Sequence, residues 1–310
     1  MNEAILILAS CTKRKRLPVP ATLRLGGVRY RDRSERAARW WHELMHGHSK
    51  AIPAAELYAG DHWSVVRRLP DVARSRGLRP TLWVISAGYG LVPASALLRS
   101  YSATFAPRHP DSVEGDRREW WTELARLKLS DQSAPRSIVD LVCRDPSASV
   151  IVVASAHYVE AIEDDLKYAA SRLLKRERLT IITTPGRMSR GPLGSHVVAA
   201  HAQWQATLGG ARTSIHARLA ERILQAADDL NVNSIRARLQ QMMERSPAVP
   251  HDERQRMTDD DVRAFIRQAL THDLGAGHTK LLRALRDTGR ACEQSRFRRI
   301  FFEVRRHDDK

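Results

Sequence analysis

Four short apolar runs, residues 4–9, 82–86, 150–154 and 179–183, are nearly continuous and rich in β-branched residues or Leu. Alternation is absent, so these runs predict strands buried on both faces, as in a parallel sheet covered by helices. Between them, mixed polar and apolar stretches predict helices at 34–45, 63–73, 117–129 and 156–174, with a last one at 195–208. Strand alternating with helix predicts an α/β three-layer core on a four-stranded parallel sheet with right-handed crossovers. The pattern changes after Gly210. Residues 213–245 read as helix without strand, and Ser246-Pro-Ala-Val-Pro250 reads as a linker. Thr258 followed by three aspartates starts a helix to about 271, and Gly275 and Gly277 break it. Helices at 279–287 and 295–304, separated by Gly289, complete an all-α C-terminal region. The expected domains are 1–210 (α/β), 211–250 (helical connector) and 251–310 (small, helix-turn-helix-like).

Charge narrows the partners. The 310 residues carry 51 Lys and Arg against 35 Asp and Glu, a net charge of +16. Such an excess favours a polyanion, and DNA is the expected partner, with RNA as the alternative. No apolar run of about 18 residues offers a membrane span. The apolar start precedes its cations, the reverse of a signal peptide, so the expectation is a cytoplasmic protein with no obligate protein partner. Cys11, Cys143 and Cys292 are scattered, without a CxxC pair, which gives neither a disulfide framework nor a zinc site. No metal or cofactor is expected.

In open parallel sheets ligands gather beyond the carboxyl ends of the strands. After the first run comes Ser10-Cys11-Thr12-Lys13-Arg14-Lys15-Arg16, and residues 11–40 hold ten basic against two acidic residues. This is an anion site in composition, and cations close to Cys11 would favour its thiolate; a small buried residue is the other reading of Cys11. After the second run, Ser86-Ala87-Gly88-Tyr89-Gly90 forms a bent loop whose Tyr89 either stacks on a base or marks a tight turn. Ser155 opens a helix after the third run, as a cap or as a ligand donor. After the fourth, a glycine-rich loop carries Arg187 and Arg190. Glu56, Tyr58 and Asp61 cluster in one segment, and Tyr101 follows the second loop. A carboxylate in a basic, aromatic pocket suits water activation or stabilisation of a growing cation. A surface salt bridge for Glu56 and a helix cap for Asp61 are the plainer readings. In the C-terminal region, Arg296, Arg298 and Arg299 are expected to contact phosphates.

Taken together, Ser10-Cys11 with Lys13, Glu56-Leu57-Tyr58-x-Gly60, Ser86-Ala87-Gly88-Tyr89-Gly90-Leu91-Val92, and Tyr101 with Thr104 resemble a domain family of unknown function common in bacterial and phage genomes. The likeness spans roughly residues 1–200. More remotely, the chain is similar to YaaA-type peroxide-stress proteins and to a domain of archaeosine synthase. The resemblance implies a core akin to the uracil-DNA-glycosylase fold and chemistry on modified bases. Ser10 stands where archaeosine synthase has Pro, and the water-activating Asp motif of uracil-DNA glycosylases is missing. The function expected is a DNA glycosylase that excises a modified base by base flipping, as an antiviral defence. Catalysis would fall to Glu56, Asp61 or Cys11. Substrate binding would fall to Ser10, Lys13, Tyr58, Ser86, Gly88, Tyr89, Tyr101, Ser155 and Arg187. Nucleic-acid contacts would fall to Arg14, Lys15, Arg16, Arg190, Arg296, Arg298 and Arg299. The alternatives are a 7-deazaguanine-modifying enzyme acting through Cys11, or a DNA-binding protein without catalysis.

Overall fold

A computed structural model describes residues 3–28, 32–127, 134–226, 229–245 and 255–308. The chain divides into two compact units, Met1–Pro247 and Ala248–Lys310. The linker expected at 246–250 lies outside the described residues.

In the first unit all four predicted strands form, and two more join them. They are β1 (Ala4–Ser10), β2 (Arg79–Ser86), β3 (Gly90–Pro93), β4 (Ser149–Val153), β5 (Leu179–Thr183) and β6 (Val197–Ala199), in sheet order β3-β2-β1-β4-β5-β6. Every pairing is parallel except β2 with β3, a hairpin closed by the loop at 87–89. Every residue of β4 and β5 is buried. Since neighbouring side chains of a strand point to opposite faces, both faces of the sheet are covered. The helix expected at 195–208 is instead β6 followed by a short helix, Trp204–Leu208. Val197 and Val198 gain more by extending the ladder of β5 than by forming a helical turn.

The helices used below are α1 (Arg33–His46), α2 (Asp61–Val66), α3 (Leu69–Ser75), α4 (Arg117–Arg126), α5 (Ala156–Ala161), α6 (Ile215–Ala226) and α7 (Val232–Arg245). The stretch at 63–73 breaks into α2 and α3, and the one at 156–174 into α5 and Glu163–Arg172. The segment expected as a connector belongs to the first unit. α6 packs on α2, α3, β4 and β5, and Ile215, Leu219, Ile223 and Leu224 are buried in the main core.

The second unit has its own core. Val262, Ile266 and Leu270 of α8 (Asp259–His272) meet Leu281, Leu282 and Leu285 of α9 (His278–Asp287). Phe297, Ile300, Phe301 and Val304 of α10 (Gln294–Asp308) close it. Thr258 caps α8 as expected: its side chain accepts from the Asp261 amide, and the Asp261 carboxylate accepts from the Thr258 amide. A two-residue parallel ladder, Gln255–Arg256 with Arg290–Ala291, adds strand where only helix was expected.

Candidate functional site

The ends of β1 and β2 bring four of the singled-out segments together. Beyond β1 the Cys11 amide donates to Ile85 O (2.9 Å), so the chain follows β2 for one residue more. It then runs antiparallel to the Tyr58 segment. The Arg16 amide donates to Leu57 O (2.9 Å), the Ala59 amide to Arg14 O (2.9 Å), and Thr12 Oγ1 to Ala59 O (3.0 Å). Lys13, Arg14 and Arg16 are exposed along this strip. Lys15 is not, which corrects its assignment as a phosphate contact. It pairs with Tyr58 across the bridge and turns inward. Its Nζ donates to Thr12 O (3.0 Å) and sits 4.3 Å from the centre of the Tyr101 ring. Burial holds the Lys15 ammonium below the usual lysine range, against the opposing pull of Cys11 and Asp111.

Beneath the strip lies a polar chain. Ser86 Oγ accepts from the amides of Gly88 (3.1 Å) and Tyr89 (2.9 Å). With both lone pairs taken, the Ser86 hydroxyl is left to donate to Tyr101 OH (2.6 Å), and Tyr101 in turn to Tyr58 OH (2.9 Å). That order leaves the Tyr58 proton at the end of the chain, on a fully buried hydroxyl. Cys11 Sγ lies 3.3 Å from Tyr158 OH, and Thr104 also hydrogen-bonds Tyr158. Burial pushes Tyr58, Tyr101 and Tyr158 well above the usual phenol range, with the Cys11 charge adding to it, so all three are neutral hydroxyls.

The glycine loop is clamped rather than loose. Trp40 Nε1 of α1 donates to Gly88 O, and Trp120 Nε1 of α4 donates to Ala87 O, each at 2.8 Å. Arg136 is buried behind the loop. Its guanidinium donates to the carbonyls of Tyr89 (2.7 Å), Leu91 (2.9 Å), Leu124 (3.1 Å) and Leu127 (2.9 Å). Gly88 is required here, because a Cβ would come within 2.4 Å of the Tyr101 ring.

Several expected roles change. Tyr58, Tyr89 and Tyr101 are fully buried, so none offers a face for a base to stack on. Tyr89 also points away from the polar chain: its hydroxyl accepts from the Arg99 amide (3.0 Å) and donates to Arg99 O (3.3 Å). Lys13, Glu56 and Tyr89 therefore do not face one cavity. Asp61 is a tether. Its carboxylate accepts from the Ala211 amide (3.0 Å), the Ser214 hydroxyl (2.5 Å) and Arg218 (2.8 Å), which fixes the start of α6 on α2. The Ser214 bond above all holds its carboxyl below the usual range. With its lone pairs so occupied, Asp61 is a poor base. Glu56 stands exposed on the helical turn Ala54–Leu57, one residue before the carbonyl that binds Arg16.

Ser10 is buried at the end of β1. Ser155 occupies the cap position of α5 without a capping bond from its side chain. Arg190 is exposed, and the Arg187 side chain lies outside the described residues. In the second unit Arg296 and Arg299 are engaged with Asp259 (2.6 and 3.1 Å), and Arg299 also with Glu303 (2.7 Å). Arg298 is exposed and lies over the Phe302 ring (5.8 Å).

Two neighbours of Lys13 and Lys15 carried no sequence signal. Asp111 is buried, accepting from Gly26 N (3.0 Å) and Ser102 Oγ (2.6 Å). The Asp111 amide donates to His109 Nδ1 (3.0 Å), so that nitrogen carries no proton. Burial, then the charge of Lys13, holds His109 below the usual imidazole range. A cavity of ≈ 550 Å³ also opens at the β6 edge, lined by Trp204 and by Arg236, Leu239 and Met243 of α7. It includes none of the cluster residues.

No family model matches the chain, and a search of curated proteins finds no match.

Proposed function

We propose that this protein is a DNA glycosylase that excises a modified nucleobase and leaves an abasic site, as a defence against phage DNA. The observation that carries this reading is the exposed strip Lys13, Arg14 and Arg16 running directly over the buried Ser86–Tyr101–Tyr58 chain at the strand ends. Cations along an edge bind phosphates and set register without reading sequence. Rotating a base out of the duplex costs roughly a few kcal/mol, which these contacts offset. Glu56, the carboxylate beside the strip, activates water or stabilises the sugar cation as the glycosidic bond breaks. Arg190 and Arg298 supply further phosphate contacts, joined by Arg296 and Arg299 where phosphate displaces Asp259.

The test is incubation with phage DNAs of different modification, reading free base by mass spectrometry and abasic sites by alkaline cleavage. Glu56→Gln should keep DNA affinity and lose base release by about 10²- to 10⁴-fold. Intact nucleosides from every modified DNA would end this reading.

A second reading is favoured by the 3.3 Å contact of Cys11 with Tyr158 OH and by the nearby Lys15 amine. Here Cys11 attacks a nitrile or amide on a 7-deazaguanine base. Cys11→Ser would then abolish the reaction, and the nucleoside mass would shift with no alkali-labile strand. A protein that only binds DNA would show neither product, and its salt-sensitive affinity would be all that remained.

A further inference from the structure

We propose that Lys15 captures the aldehyde of the abasic sugar as an imine, so that the protein cleaves the strand after removing the base. This rests on the glycosylase reading, which supplies the aldehyde. The placement of the amine is the argument. Among the cations of the strip, Lys15 alone turns from solvent onto aromatic rings, 4.3 Å from the Tyr101 ring centre and 5.6 Å from that of Tyr58. The Thr12 carbonyl holds it at 3.0 Å, and the residue is half-buried rather than wholly enclosed.

Such a lysine is a poor phosphate clamp and a good nucleophile. A phosphate contact needs a protonated, outward head group, whereas attack on a carbonyl needs an uncharged amine. Burial against rings favours the uncharged form, in keeping with the downward displacement of this residue. The exposed Lys13, Arg14 and Arg16 meanwhile hold the flanking phosphates, which would bring the sugar to the one amine among them that can react.

The chemistry balances without a cofactor. The Lys15 nitrogen adds to C1′ of the ring-opened sugar, and the carbonyl π pair moves to oxygen. That oxygen takes protons from the nitrogen and from solvent and leaves as water, giving the protonated imine. Loss of the C2′ proton to solvent then expels the 3′-phosphate with the electron pair of its C3′–O bond. Water hydrolyses the imine and frees the amine.

The experiment uses the full chain and an oligonucleotide with a preformed abasic site, in the presence of borohydride, which reduces an imine to a stable amine. Base excision plays no part in it, so its failure is separate from failure of the glycosylase reading. The expected result is a covalent protein–DNA adduct that peptide mapping places on Lys15. Without borohydride the strand is cut on the 3′ side of the abasic sugar, and Lys15→Met loses both adduct and cut. Absence of an adduct with the unaltered protein, or its location on another lysine or the terminal amine, overturns the proposal. Mapping the unaltered protein keeps the test valid even if Lys15→Met folds poorly.

Discussion

The two units hold their cations in opposite ways. In the α/β unit, Arg136 and Lys15 are drawn inside and held by backbone carbonyls and aromatic rings. In the C-terminal unit, Arg296 and Arg299 lie over one aspartate at the surface. A buried guanidinium bonded through all three nitrogens fixes the backbone around it, and removing it takes a donor from each carbonyl it held. A surface pair contributes little, because water screens it and both side chains lose freedom to form it. The same residue types thus build geometry where they are buried and form only screened pairs where they lie at the surface.

Arg136→Leu is the sharpest way to break this contrast. It takes a donor from four carbonyls, among them those of Tyr89 and Leu91, and should cost about 3 kcal/mol or more in denaturant unfolding. A loss no larger than that of a surface pair would erase the distinction.

The next effect concerns His62 and His216, which extend the comparison from cations to groups kept neutral. His62 lies beside the Ser10 backbone, with His216 and Asp61 as its ionisable neighbours. Burial pushes both imidazoles down to about 4. The unfolded chain takes up these protons near pH 6.5 while the folded chain refuses them until about pH 4. Stability is therefore whole above 6.5, falls through that window and levels off below it. One such histidine accounts for about 3 kcal/mol across the window, and the pair for less than twice that. His216→Leu should flatten the decline between pH 7 and 4.5, as read from denaturant midpoints. An unchanged slope would show that other groups set the acid response.

The smallest effect should come from Asp259→Asn. Freed from their shared partner, Arg296 and Arg299 should strengthen DNA binding and steepen its salt dependence, with the melting temperature unmoved. Weaker binding would mean that the aspartate orients the arginines for phosphate rather than competing with it.

How much of this was legible in the sequence follows from the range of each signal. β1, β2, β4 and β5 announce themselves as apolar runs because each is buried on both faces. β6 did not, because three residues between a glycine-rich loop and a short helix carry too little pattern. The meeting of residues 10–16 with 86–90 was readable, since neighbouring parallel strands send their loops to one edge; that 56–60 and 101–104 join them was not, since neither follows a strand of that sheet. The orientation of each side chain was not. Whether Tyr58 shows a ring to a base or a hydroxyl to Tyr101 depends on contacts 43 residues apart. Asp61 belongs to the same class: its partners at 211, 214 and 218 lie in a segment that reads as a connector. Arg136 went unmarked because a lone arginine outside any motif has no signature until the carbonyls around it are known.

The paired indoles on the glycine loop have a consequence for how anything enters this region. With Ala87 and Gly88 each pinned by a tryptophan from a different helix, the turn has lost the freedom its glycines advertise. Its amides at 88 and 89 should exchange with deuterium as slowly as those of the sheet. An incoming molecule would find a fixed wall there, and any yielding would have to come from the opposite bank, where the cationic strip is tied to the Tyr58 segment by a few main-chain bonds.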